Sequence, residues 1–146
     1  MSIPPLFAAA TLALMLLAGC SAESGPTLSA PEAFAQARAG KLTLIDIRRP
    51  DEWRQTGVAA GALRINMVHP QGVAGFVREV GAALDGRRDA PIALICRTGN
   101  RTTRMQKALQ DAGFTNVYHI PEGMAGSPAG PGWIARGLPV DSCETC

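Results

Sequence analysis

The apolar positions of this chain change period several times, and each change marks an element. Ser29-Ala30-Pro31-Glu32 is a capping box with proline in the first turn, so a helix is predicted from about Ala30 to Arg38, stopped by Gly40. Leu42 to Ile47 is a short apolar run that reads as a strand and ends in Asp46-Ile47-Arg48. Pro50 to Trp53 starts a turn or short helix, and Ala62 to Ile65 is a brief strand. Over Gly72 to Leu84, the residues Val73, Phe76, Val77, Val80 and Leu84 recur at helical spacing. After the polar turn 85–89 comes a second buried strand, Pro91 to Ile95. Thr102 to Ala112 then repeats Met105, Ala108, Leu109 and Ala112 as one helix face, ending at Gly113. Asn116 to Ile120 is another strand, Gly123 to Gly132 is irregular, Trp133 to Arg136 is a helical turn, and Gly137 to Val140 closes the unit. Short apolar strands alternating with helices imply an α/β fold: a parallel sheet with helices on both faces. Sites in such sheets sit at the carboxyl ends of strands.

One such end carries Cys96-Arg97-Thr98-Gly99-Asn100-Arg101, between the strand Pro91 to Ile95 and the helix after it. A cysteine on a glycine-containing loop that opens a helix faces backbone N–H donors and the positive helix end, which together favour a thiolate. Cys96 is therefore the candidate nucleophile, and Arg97, Thr98, Gly99, Asn100 and Arg101 are the candidate substrate-binding loop. Asp46, Arg48 and Glu52 also follow a strand and can meet that loop as structural support; Arg101 is expected to pair inward with Asp46 or Glu52. His69 and His119 read as structural or surface groups, and Trp53 and Trp133 as packing residues.

The N-terminus has a different character. Leu6 to Leu17 is apolar but, at 12 residues, shorter than the roughly 20 of a bilayer span. It fits the core of an export signal. Leu17-Ala18-Gly19-Cys20 resembles a bacterial lipobox, which implies a signal peptide over 1–19, lipid on Cys20 and a location on the periplasmic side of a membrane. An uncleaved anchor or a plain signal peptide are the alternatives. Residues 20–30 read as a tether, 31–141 as the folded domain and 142–146 as a tail. In that tail Cys143 and Cys146 form a C-x-x-C, read as a local disulfide, which leaves Cys96 as the odd thiol.

Composition adds exclusions. At 146 residues with 47% hydrophobic and 18% charged positions, the chain has material for one globular domain. A net charge of +2 with scattered arginines gives no footprint for nucleic acid. Only two histidines are present, too few ligands for a zinc site, and no metal or organic cofactor is expected.

Residues 29–140 resemble a single-domain rhodanese, a sulfurtransferase. The resemblance rests on Ile45 to Trp53, Gly57 to Met67, the Cys96 loop, Gly113 to Tyr118, Glu122-Gly123-Met124 and Trp133 to Val140. It implies a rhodanese fold and a persulfide carried on Cys96, with a small anionic sulfur donor such as thiosulfate, a thiol or cyanide acceptor, and a monomer. Gly57-Val58-Ala59-Ala60-Gly61-Ala62 lacks the histidine common in the family, and the stretch 126–132 is longer than the family's usual spacing. Two rivals remain. One is a phosphatase or arsenate reductase on the same fold, whose loop resembles Cys-x5-Arg, where this chain has four residues between Cys96 and Arg101. The other is a non-catalytic redox or sulfur-binding module in which Cys96 exchanges with Cys143 and Cys146.

Overall fold

The computed structural model describes residues 25–146. The expected export signal over 1–19 and the expected lipid site Cys20 lie outside the described residues. The central sheet is built from four parallel strands, β1 (Thr43–Asp46), β3 (Leu63–Arg64), β4 (Ile92–Ile95) and β5 (Val117–His119), in the order β3-β1-β4-β5. The two inner strands, β1 and β4, are apolar because both of their faces are covered. Alternation along them sorts the side chains to two cores. Ile45, Ile92 and Leu94 face Phe76 and Val80 of α3 (Gly72–Ala83) and Met105 and Leu109 of α4 (Asn100–Asp111). Leu44, Ala93 and Ile95 face Ala30 and Ala33 of α1 (Ala30–Arg38), together with Trp133.

Local chemistry sets the element ends. Ser29 and Glu32 form the reciprocal cap of α1, with the Glu32 carboxylate accepting from Ser29 N–H at 2.9 Å. Pro50 opens α2 (Pro50–Thr56), where Glu52 accepts from Arg49 N–H at 3.1 Å.

Several expectations are corrected. The helix after Cys96 starts at Asn100 rather than Thr102, because Gly99 takes a left-handed conformation (φ 89°) and turns the chain directly into α4. Val73 lies on the outer face of α3, 37% exposed, while Phe76 and Val80 are fully buried. Ala62 to Ile65 is reduced to the two-residue β3. A second, antiparallel sheet joins β2 (Val58–Ala59) to β6 (Val140–Asp141) across the chain. Residues 25–28 are no tether: Leu28 N–H donates to His119 carbonyl at 3.0 Å, and His119 N–H to Pro26 carbonyl at 3.2 Å. This backbone pairs with β5, and Gln106 clamps it by donating to both Pro26 and Val117 carbonyls at 2.8 Å. Backbone pairing and one buried amide outweigh the small, polar composition that suggested a free segment. Among the described residues, no helix is long and apolar enough to cross a membrane.

Candidate active site

Cys96 follows β4, and its residue is only 1% exposed. Its Sγ accepts from Gly99 N–H at 3.2 Å, the bond that closes the loop around the sulfur. The N–H groups of Arg97, Thr98, Asn100 and Arg101 have no acceptor among the described residues. The loop is therefore a short run of unpaired donors at the start of a 12-residue helix. A neighbouring turn holds it from outside. Met124 N–H donates to Cys96 carbonyl and Ala125 N–H to Arg97 carbonyl, both at 2.9 Å. That approach leaves no room for side chains on either partner. A Cβ on Gly99 would meet the Pro121 carbonyl at 2.2 Å, and one on Gly123 would meet the Arg97 carbonyl at 2.4 Å. Both glycines also have positive φ.

Behind the sulfur stands a polar pair that sequence reasoning did not assign to the site. Thr102 Oγ1 lies 3.7 Å from Cys96 Sγ and 3.2 Å from His119 Nδ1. The Thr102 hydroxyl donates its one proton to Gly99 carbonyl at 2.8 Å, so it accepts from His119 Nδ1–H and, while Cys96 is a thiol, from its S–H. That arrangement puts the His119 proton on Nδ1 and leaves Nε2 buried without a partner. Burial pushes the His119 pKa down, so the ring is held neutral. The only signal in the sequence was position: Thr102 on the first turn of the helix, His119 at the end of the adjacent strand.

The arginines are divided among separate tasks. Arg48 and Asp46 form a buried ion pair at 2.7 Å, and Arg48 also donates to Thr56 Oγ1 and Gly57 carbonyl, each at 2.8 Å. Arg101 takes Glu52 and not Asp46. It binds the carboxylate with two N–H groups at 2.6 and 2.5 Å, joining the start of α4 to α2. The Arg101 guanidinium and the Arg49 N–H outweigh burial and hold the Glu52 pKa down to about 2. Arg97 alone of the loop arginines is exposed, and it borders a cleft of ≈ 390 Å³ with Glu52, Gln55, Thr56, Met124 and Ile134. Thr98 is half-buried beside it, and Asn100 is exposed at the helix start.

Glu122 anchors the far wall. It accepts from Ala30 N–H at 2.8 Å, Gly132 N–H at 2.9 Å and Arg136 Nε at 2.7 Å. Burial pushes its pKa up, but Arg136 and the two backbone donors more than offset this, and the carboxyl sits below its ordinary range. At the opposite edge, Cys143 and Cys146 are joined by a disulfide. Among the described residues no cluster of His, Cys, Asp and Glu is placed to hold a metal ion.

Comparison with known proteins gives this geometry its context. Residues 29–127 match the model of the rhodanese-like domain. An uncharacterised protein of Rickettsia prowazekii is 26% identical over 98 residues, covering 66% of this chain and 80% of that one. The polysulfide-sulfur transferase homodimer of Wolinella succinogenes superposes with a TM-score of 0.59 at 24% identity, covering 82% of this chain and 80% of that one. A Rhodopseudomonas palustris protein described as a possible tyrosine phosphatase superposes with a TM-score of 0.58 at 26% identity, covering 80% of this chain and 84% of that one.

Proposed function

The chain belongs to the rhodanese-like domain family, and we propose that it moves sulfane sulfur from a small anionic donor to a thiol or cyanide acceptor through a persulfide on Cys96. The observation that carries this reading is the loop itself. It offers one N–H already bonded to Sγ, and four more without acceptors at a helix start. The Cys96 thiolate attacks the outer sulfur of a donor such as thiosulfate. A bond forms from Sγ to that sulfur, the bond inside the donor breaks, and sulfite leaves with the electron pair. The loop donors then face the negative charge on the terminal sulfur of the persulfide. A thiolate or cyanide attacks that sulfur, and Cys96 leaves as thiolate, ready for the next turn. Arg97 at the cleft draws the anionic donor in.

The same geometry favours sulfur over phosphate. Arg101, the candidate for clamping an oxyanion, already gives both of its terminal nitrogens to Glu52. Four residues between Cys96 and Arg101 enclose a small site, and N–H donors act only at hydrogen-bond distance. In the cell, the reading places this domain on the periplasmic side of a membrane, held by lipid on Cys20. It works there as a monomer without metal or organic cofactor.

Mass spectrometry of the intact protein after thiosulfate treatment tests the central step. One added sulfur on Cys96 is expected, released by cyanide as thiocyanate. Cys96→Ser is expected to show neither, and hydrolysis of an aryl phosphate is expected to be negligible. Phosphatase turnover that disappears in Cys96→Ser, without a persulfide from thiosulfate, would transfer the assignment to the rival chemistry. Incorporation of labelled fatty acid into the wild type and not into Cys20→Ser tests the anchor.

A further inference from the structure

We propose that the Cys143–Cys146 disulfide is a redox-active site, a second chemical centre that exchanges with external thiols independently of Cys96. Three observations converge on it. First, the Arg64 guanidinium lies against both sulfurs, its Nη1 facing Cys143 Sγ and Cys146 Sγ. A guanidinium there stabilises a thiolate far more than a disulfide, so it favours the reduced state and makes Cys143 a good leaving group. Second, the two sulfurs are unequal. Cys143 packs against Trp53 and Val58 and is 8% exposed, whereas Cys146 is half-buried at the rim. Arg54 fixes the rim by donating to Cys146 carbonyl at 2.5 Å. Third, a cavity of ≈ 280 Å³ lined by Val58, Ala62, Arg64, Asp141 and Cys143 opens on the Cys143 side of the pair, beside the Arg64 guanidinium.

A structural staple accounts for little of this. A cross-link between residues three apart closes a very short loop, which restrains the unfolded chain least. The site is also separate from the sulfur-transfer loop: Cys96 packs in the core between the sheet and α3 and α4, and the disulfide packs with Trp53, Val58 and Ala62.

The exchange balances as follows. A thiolate of a partner dithiol attacks Cys146 Sγ, forming a mixed disulfide. The Cys143–Cys146 bond breaks, and its electron pair goes to Cys143 Sγ beside Arg64. The partner's second thiol loses its proton and attacks the partner sulfur of the mixed disulfide, releasing Cys146 as thiolate. The protein pair gains two electrons and, as it takes up protons, the two the dithiol gave up; the partner leaves as a disulfide.

Equilibrating the full chain in glutathione buffers of graded poise, trapping free thiols by alkylation and reading the C-terminal peptide by mass spectrometry tests the proposal. Cys143 and Cys146 are expected to titrate together within the glutathione range, with the same midpoint in Cys96→Ser. Arg64→Gln, on an exposed edge strand, is expected to need about tenfold stronger reducing conditions, the worth of one hydrogen bond to a charged group. Arg64→Lys is expected to recover most of that shift. A pair that stays oxidised across the whole range, or an Arg64→Gln midpoint equal to wild type, would overturn the proposal. A titration lost in Cys96→Ser would also overturn it and make the pair a partner of Cys96. None of these readouts depends on sulfur transfer at Cys96, so either reading can fail alone.

Discussion

Cys96 and Cys143 are both buried cysteines on the same small fold, yet the guanidinium groups around them are placed in opposite ways. At Cys143 an arginine sits on the sulfur itself. At Cys96 the nearest arginines are engaged elsewhere: Arg48 holds Asp46, Arg101 holds Glu52, and Arg97 faces the cleft. The partners of Cys96 Sγ are the Gly99 backbone N–H and the neutral Thr102 hydroxyl. The difference follows from what each sulfur is asked to do in the reactions proposed. A disulfide exchange ends with the same two sulfurs it began with, so a side chain can rest on them. A persulfide adds an atom, and a guanidinium over Cys96 would fill the space that atom needs. Backbone donors provide positive charge without occupying it.

The largest effect expected from breaking this contrast is at the nucleophile. Cys96→Ser is expected to lose all thiosulfate-dependent thiocyanate formation, whereas Cys143→Ser combined with Cys146→Ser is expected to keep most of it. A kinetic assay of both variants checks this, and comparable losses in the two would erase the distinction between the sites.

The next largest effect concerns the arginines that are kept off the sulfur. Arg48 and Asp46 are both almost wholly excluded from solvent. Arg48→Met leaves the Asp46 carboxylate buried without its partner, and the expected loss in unfolding free energy is about 3–5 kcal/mol. Arg64→Gln, on the exposed β3, is expected to stay within about 0.5 kcal/mol of wild type. Urea denaturation of the two variants side by side measures the difference.

Much of this was legible before the structure. The strand, the cysteine, the glycine and the helix that follow one another from Ile92 to Asp111 place Cys96 without any tertiary information, because a left-handed glycine turning into a helix is a local event. The capping box at Ser29 is local in the same way. What was not legible depends on partners distant in sequence. The β2–β6 sheet joins two-residue strands about eighty residues apart, too short to leave a periodicity. The choice of Glu52 over Asp46 by Arg101 is settled by Arg48, which claims Asp46 first through β1 geometry. Thr102 and His119 meet the sulfur only because α4 and β5 lie side by side. Residues 25–28 look like a linker until their backbone groups are paired with β5.

Acid sharpens the comparison from the side of Cys96. The Glu52 pKa is about 2 in the folded protein, against an ordinary value of 4.5. A carboxyl held down by folding contributes its stability in full above the ordinary value and loses it as the pH falls toward the folded one. The Glu52–Arg101 clamp lies partly in solvent, which screens it, and it is expected to lose about 1 kcal/mol between pH 4.5 and about 2. Glu122, also below its ordinary range, weakens in the same direction. Glu52→Gln is expected to lower stability at neutral pH and to flatten this part of the profile. Denaturant midpoints at stepped pH measure it, and an unchanged slope in Glu52→Gln would remove the clamp from the account.

The smallest effect expected is the stability cost of reducing the disulfide, and its smallness separates a staple from a reactive pair. In the chain-entropy view, a cross-link stabilises by denying the unfolded chain its open conformations, and the gain grows with the loop it closes. Cys143 and Cys146 are three residues apart, which limits that gain to about 2 kcal/mol. Part of it is returned in the folded state, where the two freed thiolates meet the Arg64 guanidinium. The net loss on reduction is therefore expected to fall below about 2 kcal/mol, and to be larger in Arg64→Gln, where nothing receives the new charge. Thermal unfolding of oxidised and reduced protein, in wild type and in Arg64→Gln, gives the four midpoints needed. A drop on reduction equal in both would show that Arg64 does not sense the redox state of the sulfurs it touches. A larger drop in the variant would show the guanidinium stabilising the reduced pair, in the place where Cys96 relies on its backbone.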